Sequence, residues 1–197
     1  MPESGKAASR PPVTGETHLY PLKDFYVHAD LPLPRIEAVE IEQLPEPCRK
    51  LLVQTKAMAS VLQEFHHDNL HLEIIKDEKR GPFHHRQYIL RRDANESPVE
   101  FGANKIHLAC LPEDAQALVL ENYLPLGRIL KECGVAHRVE TKAFLRVESD
   151  ATMNQAFELD QSATLYGRKS WINDSRGRPL SEIVEILPPI HLSNPRP

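Results

Sequence analysis

Apolar and polar positions along the chain change period several times, and each change marks an element. Cys48, Leu51, Leu52, Met58, Val61, Leu62 and Phe65 recur at helical spacings, which predicts one amphipathic helix of about five turns opening at Pro47. "NLHLEIIKDE" then alternates Leu70, Leu72 and Ile74, a strand signal. "HHRQYILRRDANESPVEFGANKIHLACLP" reads as two strands joined by a turn at "DANESP". "PEDAQALVLENY" is helical; Pro125 ends it and opens a short helix, "PLGRILKEC", that Gly134 can cap. "HRVETKAFLRVE" sets Val139, Thr141, Ala143, Leu145 and Val147 on one face and Arg138, Glu140, Lys142, Phe144 and Arg146 on the other. Residues 149–164 predict a loop with one helical turn, and "YGRKSWINDSRGRPLSEIVEILPP" a closing hairpin turning at "DSRGRP". Adjacent strands with short turns give a mainly antiparallel sheet and an α+β class.

The ends of the chain read differently. Residues 1–40 are proline-rich and show no helical period, so they predict a mobile tail passing into an extended arm that Tyr20, Phe25 and Tyr26 pin to the domain. The domain proper is expected over 41–189, with a C-terminal tail at 190–197. A length of 197 residues suits one domain with a real core. A net charge of −4 gives no nucleic-acid footprint. Three widely spaced cysteines without a CxxC pair indicate neither a zinc site nor a disulfide framework, and a reducing cytoplasm is expected. The first residues lack the apolar stretch of a signal peptide, and no apolar run approaches the ~18 residues of a membrane span.

The common catalytic signatures GxGxxG, GxxxxGK[ST], GxSxG and HExxH are absent. The histidines include the doublets His66–His67 and His84–His85, but neighbours on a strand point to opposite faces. They read as surface or turn residues, with no metal site. "PLSEIVEILPP" is more informative: Glu182 and Glu185 lie among Ile183, Val184, Ile186 and Leu187. Alternation puts the two carboxylates on opposite faces. Either could occupy an apolar pocket with a raised pKa, or both could face solvent from an edge strand.

Several segments together resemble the chorismate pyruvate-lyase (4-hydroxybenzoate synthase) family and its wider relatives. They are "KAMASVLQEF", the "RQYIL…HLACLP" unit, "YLPLGRILKE", and "LYGRKS" followed by "GRPLSEIVEILPP", in the family's order over about residues 47–189. The resemblance implies one domain with a six-stranded antiparallel sheet and helices packed on it. It also implies a carbon–oxygen lyase that splits chorismate into 4-hydroxybenzoate and pyruvate without a cofactor. The family's carboxylate-binding arginine falls on Arg86 and its buried glutamate on Glu185. The residues that close on the ring fall on Met58 and Leu126, with Gly127 offering a backbone N–H. Tyr88 shares the Arg86 face, and Arg128 and Arg168 are candidates for a second carboxylate. The "DANESP" turn is longer than the family's, and residues 149–164 are largely an addition. The same fold also serves as an effector-sensing domain in transcription regulators, so a non-catalytic pocket for an aromatic carboxylate is the competing reading, and a diverged member acting on another small molecule is a third.

Overall fold

The computed structural model describes residues 18–190; the expected tails at 1–17 and beyond 190 lie outside them. A seven-stranded antiparallel sheet runs in the order β1-β5-β6-β7-β4-β3-β2. Its strands are β1 (Ile36–Val39), β2 (Leu70–Arg80), β3 (Phe83–Arg92), β4 (Pro98–His107), β5 (His137–Glu148), β6 (Thr164–Asp174) and β7 (Pro179–Leu187). The helices are α1 (Leu22–His28), α2 (Cys48–Leu52), α3 (Met58–His66), α4 (Glu113–Leu120), α5 (Leu126–Glu132) and α6 (Ala151–Phe157). The α+β class and the antiparallel sheet match the sequence reading, and the strand count is seven where six were expected.

The extra strand comes from the N-terminal arm. After Pro32 and Pro34, "IEAV" regains backbone donors and pairs with the outer edge of β5, Ile36 opposite Val147. The arm also holds a helix where an extended path was expected. Leu19, Leu22, Phe25 and Tyr26 recur at intervals of three and one, and all four are buried. Pro21 precedes the first helical residue, a position where its missing N–H costs nothing.

The predicted helix over 47–65 is two helices, α2 and α3. The break has an electrostatic cause. Arg168, fully buried on β6, donates from Nη1 to the carbonyls of Leu52 and Gln54 and from Nη2 to that of Lys56. Backbone oxygens that would continue the helix are held by a guanidinium instead. The insertion at 149–164 also gains structure: Asp150 caps α6 by accepting from the Met153 N–H at 2.9 Å, and Met153, Ala156 and Phe157 are buried.

The helices cover both faces of the sheet. One core joins α1 and α6 to Ile89, Phe101, Val184 and Ile186. A second, on the opposite face, joins α2 and α3 to Leu72, Tyr88, Leu90 and Leu187. A third packs α4 and α5 on Ile106, Ile172 and Ile183 at one end of that face.

Candidate functional site

The site lies where the second and third cores meet. Cross-strand register sets its floor: Arg86 is opposite Asn104, Tyr88 opposite Gly102 and Leu90 opposite Glu100 on β3 and β4. Gly102 is in turn opposite Glu185 on β7, and Glu185 opposite Arg168 on β6. Directly opposed residues share a face, so this row of polar groups stands on one side of the sheet. Glu182 stands on the other side, paired with Lys169 at 3.2 Å. The first turns of α3 and α5 form the roof.

Between floor and roof is a small cavity of about 30 Å³ lined by Met58, Arg86, Tyr88, Glu100, Asn104, Leu126, Gly127 and Glu185, with Leu72, Leu90, Ile172 and Ile183 as further apolar wall. Six of the eight residues proposed from the sequence therefore border one space. Arg128 does not; it is partly exposed and pairs with Glu132 at 2.7 Å on its own helix. Arg168 does not line the cavity either; it lies behind Glu185.

Two glycines make the geometry feasible. A Cβ at Gly102 would stand 2.8 Å from the Tyr88 hydroxyl oxygen and 2.9 Å from the Val184 carbonyl, so the bare backbone admits the phenol. A Cβ at Gly127 would collide with that of Ala57, so α5 approaches α3 this closely because the residue is glycine.

The charged groups differ sharply in how they are satisfied. Glu185 accepts from Arg168 Nε at 2.6 Å, and Arg168 spends its remaining donors on the three backbone carbonyls. Arg86 is wholly buried and bonded only through Nε, to Asn104 Oδ1 at 3.3 Å; its Nη1 and Nη2 have no partner. Burial lowers its pKa to about 10, which leaves it charged at neutral pH. Glu100 accepts from the Tyr88 hydroxyl at 2.8 Å through Oε1, and its Oε2 has no partner. Burial first, and the Glu185 charge second, push the Glu100 carboxyl up to about 8. Burial and the same two carboxyls raise the Tyr88 phenol. At neutral pH the buried set is then two guanidinium cations against one carboxylate, an excess of one positive charge facing the cavity.

Glu100 and Asn104 are absent from the residues proposed from the sequence. Their signal is present in "PVEFGANKI", where alternation puts Glu100, Gly102 and Asn104 on one face of an otherwise apolar strand. Among the described residues no group of three or more His, Cys, Asp or Glu could hold a metal ion, and no helix is long and apolar enough to cross a membrane.

No protein-family model and no curated protein matches the sequence. Solved structures do match the fold. A gene product of Staphylococcus aureus aligns with a TM-score of 0.52 at 6% identity, over 70% of this chain and 90% of that one. The effector domain of PhnF from Mycobacterium smegmatis aligns with a TM-score of 0.51 at 9% identity, over 70% and 91%. A GntR-family transcriptional regulator from Bacillus cereus aligns with a TM-score of 0.44 at 14% identity, over 65% and 99%. The chain shares with these structures its fold, α+β with an antiparallel sheet. The expectation of a lyase is overturned: where these neighbours' names state a role, it is that of a transcriptional regulator or an effector domain. Glu185, the residue expected to move protons, is paired with Arg168 at 2.6 Å.

Proposed function

We propose that the domain is a non-catalytic binding module for a small carboxylate, in the manner of an effector-sensing domain. The observation that carries this is the Arg86 guanidinium, fully buried, charged, and lacking partners on both terminal nitrogens. A buried cation left unpaired costs several kcal/mol. A ligand carboxylate matches the two parallel N–H donors and cancels the excess charge. Met58, Leu72, Leu90, Leu126 and Ile183 supply an apolar wall, which favours a carboxylate with an apolar, aromatic body that the roof helices open to admit. The name of the PhnF effector domain is consistent with a sensing role.

The test is equilibrium binding of 4-hydroxybenzoate, a one-ring carboxylate, to the intact chain. Arg86→Ala weakens binding by about 2–4 kcal/mol, the scale for truncating one side of a buried charge pair. An unchanged dissociation constant removes Arg86 from the site.

A further inference from the structure

The geometry points to Glu100 as a second recognition group in this cavity, a hydrogen-bond donor that selects ligands carrying an uncharged acceptor oxygen at the end opposite their carboxylate. The inference rests on the cavity being the ligand site and goes beyond it, because Arg86 alone would accept any small carboxylate that fits.

Three observations carry it. Glu100 lines the cavity while only 2% exposed, and its Oε2 has no partner. Its Oε1 already accepts the Tyr88 hydroxyl hydrogen at 2.8 Å. Finally, the floor of the cavity already contains Glu185 on β7, so a second ionised carboxyl on the adjoining strand would face a like charge. The groups packed around Glu100 are Tyr88 on β3, Glu185 on β7 and Arg168 on β6. Arg168 is bonded to Glu185 and to the carbonyls of Leu52, Gln54 and Lys56 and makes no hydrogen bond to Glu100, so its influence there is the smallest of the three. A protonated carboxyl whose Oε1 accepts from Tyr88 carries its hydrogen on Oε2. That O–H is a buried donor without an acceptor, the complement of the unfilled Arg86 fork. In line with this, burial holds the group protonated at neutral pH.

One functional group cannot serve both sites. Glu100 is opposite Leu90, four residues along β3 from Arg86, a span of about 13 Å at the backbone. The ligand class is therefore bifunctional: a carboxylate at one end, a hydroxyl, carbonyl or ether oxygen at the other, and an apolar body between.

Binding of benzoate, 4-hydroxybenzoate and phenol to wild type, Glu100→Leu and Glu100→Gln tests this. Wild type should bind 4-hydroxybenzoate about tenfold or more tightly than benzoate, the scale of one satisfied buried hydrogen bond. Glu100→Leu should abolish that preference, bringing the affinities for 4-hydroxybenzoate and benzoate together. Glu100→Gln retains both an acceptor for Tyr88 and a donor, and should keep most of the preference. Equal affinities in wild type, or a preference that survives Glu100→Leu, overturns the role of Glu100 while the carboxylate site stands. If Glu100→Leu does not fold, Glu100→Met takes its place, because a wild-type preference alone does not separate Glu100 from Glu185 or Asn104. Benzoate binding that ignores Arg86→Ala overturns the carboxylate reading instead; phenol binding that depends on Glu100 would then sustain this inference, and phenol binding that does not would end it.

Discussion

At the scale of single residues, the buried charges have unequal roles. Glu185 closes the buried ion pair with Arg168 and faces the cavity from the same position. Glu185→Ala should destabilise the fold by about 3–5 kcal/mol, because it leaves a buried guanidinium uncompensated; chemical denaturation measures this, and a loss under 1 kcal/mol would show that the carbonyls alone satisfy Arg168. Glu100 makes a prediction of opposite character. Its carboxyl is raised from the ordinary value near 4.5 to about 8 by burial and by Glu185. Between those values the folded state holds a proton that the unfolded state has lost, so this group's contribution to stability falls as pH rises through the window. Glu100→Gln does not titrate. Its stability relative to wild type should therefore increase from about pH 5 to about pH 9 in thermal melts. A pH-independent difference would mean that Glu100 is ionised in the fold.

At the scale of elements, the site is built by close approach of α3 and α5. Gly127→Ala places a methyl against Ala57 and forces the two helices apart. Overpacking of this kind costs about 1–3 kcal/mol, and the same displacement widens the roof of the cavity. Ligand affinity and stability should fall together, which a matched pair of melts and titrations would reveal. The N-terminal arm is the other element with a testable role. Leu22 and Phe25 of α1 are buried against the sheet face away from the cavity. Phe25→Ala should cost about 3–5 kcal/mol, whereas an arm merely pinned at the surface would tolerate it. Helix α1 was hidden from sequence reading because Pro21, Pro32 and Pro34 surround a period only two turns long; α6, expected as one helical turn within 149–164, runs Ala151–Phe157. Strands β2 to β7 were legible, because alternating or apolar runs there are bounded by turn residues such as those of "DANESP" and "DSRGRP".

At the scale of the whole molecule, the sheet separates two chemistries. The face toward α1 and α6 is a core of aliphatic and aromatic groups, with Lys169 and Glu182 paired at its margin. The face toward α2, α3, α4 and α5 encloses the polar row from Arg86 to Glu185. An unfilled cation at the junction of two cores ties binding to global stability. A ligand at about 100 times its dissociation constant adds about 2.7 kcal/mol, which corresponds to a rise of about 5–10 °C in melting temperature for a domain of this size. Arg86→Ala should abolish the rise. The sequence by itself determined where most strands lie along the chain, the faces on which Arg86, Tyr88, Glu182 and Glu185 stand, and the α+β class with an antiparallel sheet. Those are consequences of local periodicity, which side-chain alternation writes directly into the chain. Only the tertiary structure decided that Arg168 breaks the helix over 47–65, by reaching carbonyls 112 to 116 residues away. It alone made Glu185 a structural ion-pair partner, brought the Glu100 carboxyl within the field of Glu185, and left Arg86 without one. The charge state and partner of a buried group depend on which distant segments enclose it, and that information exists only once the chain is packed.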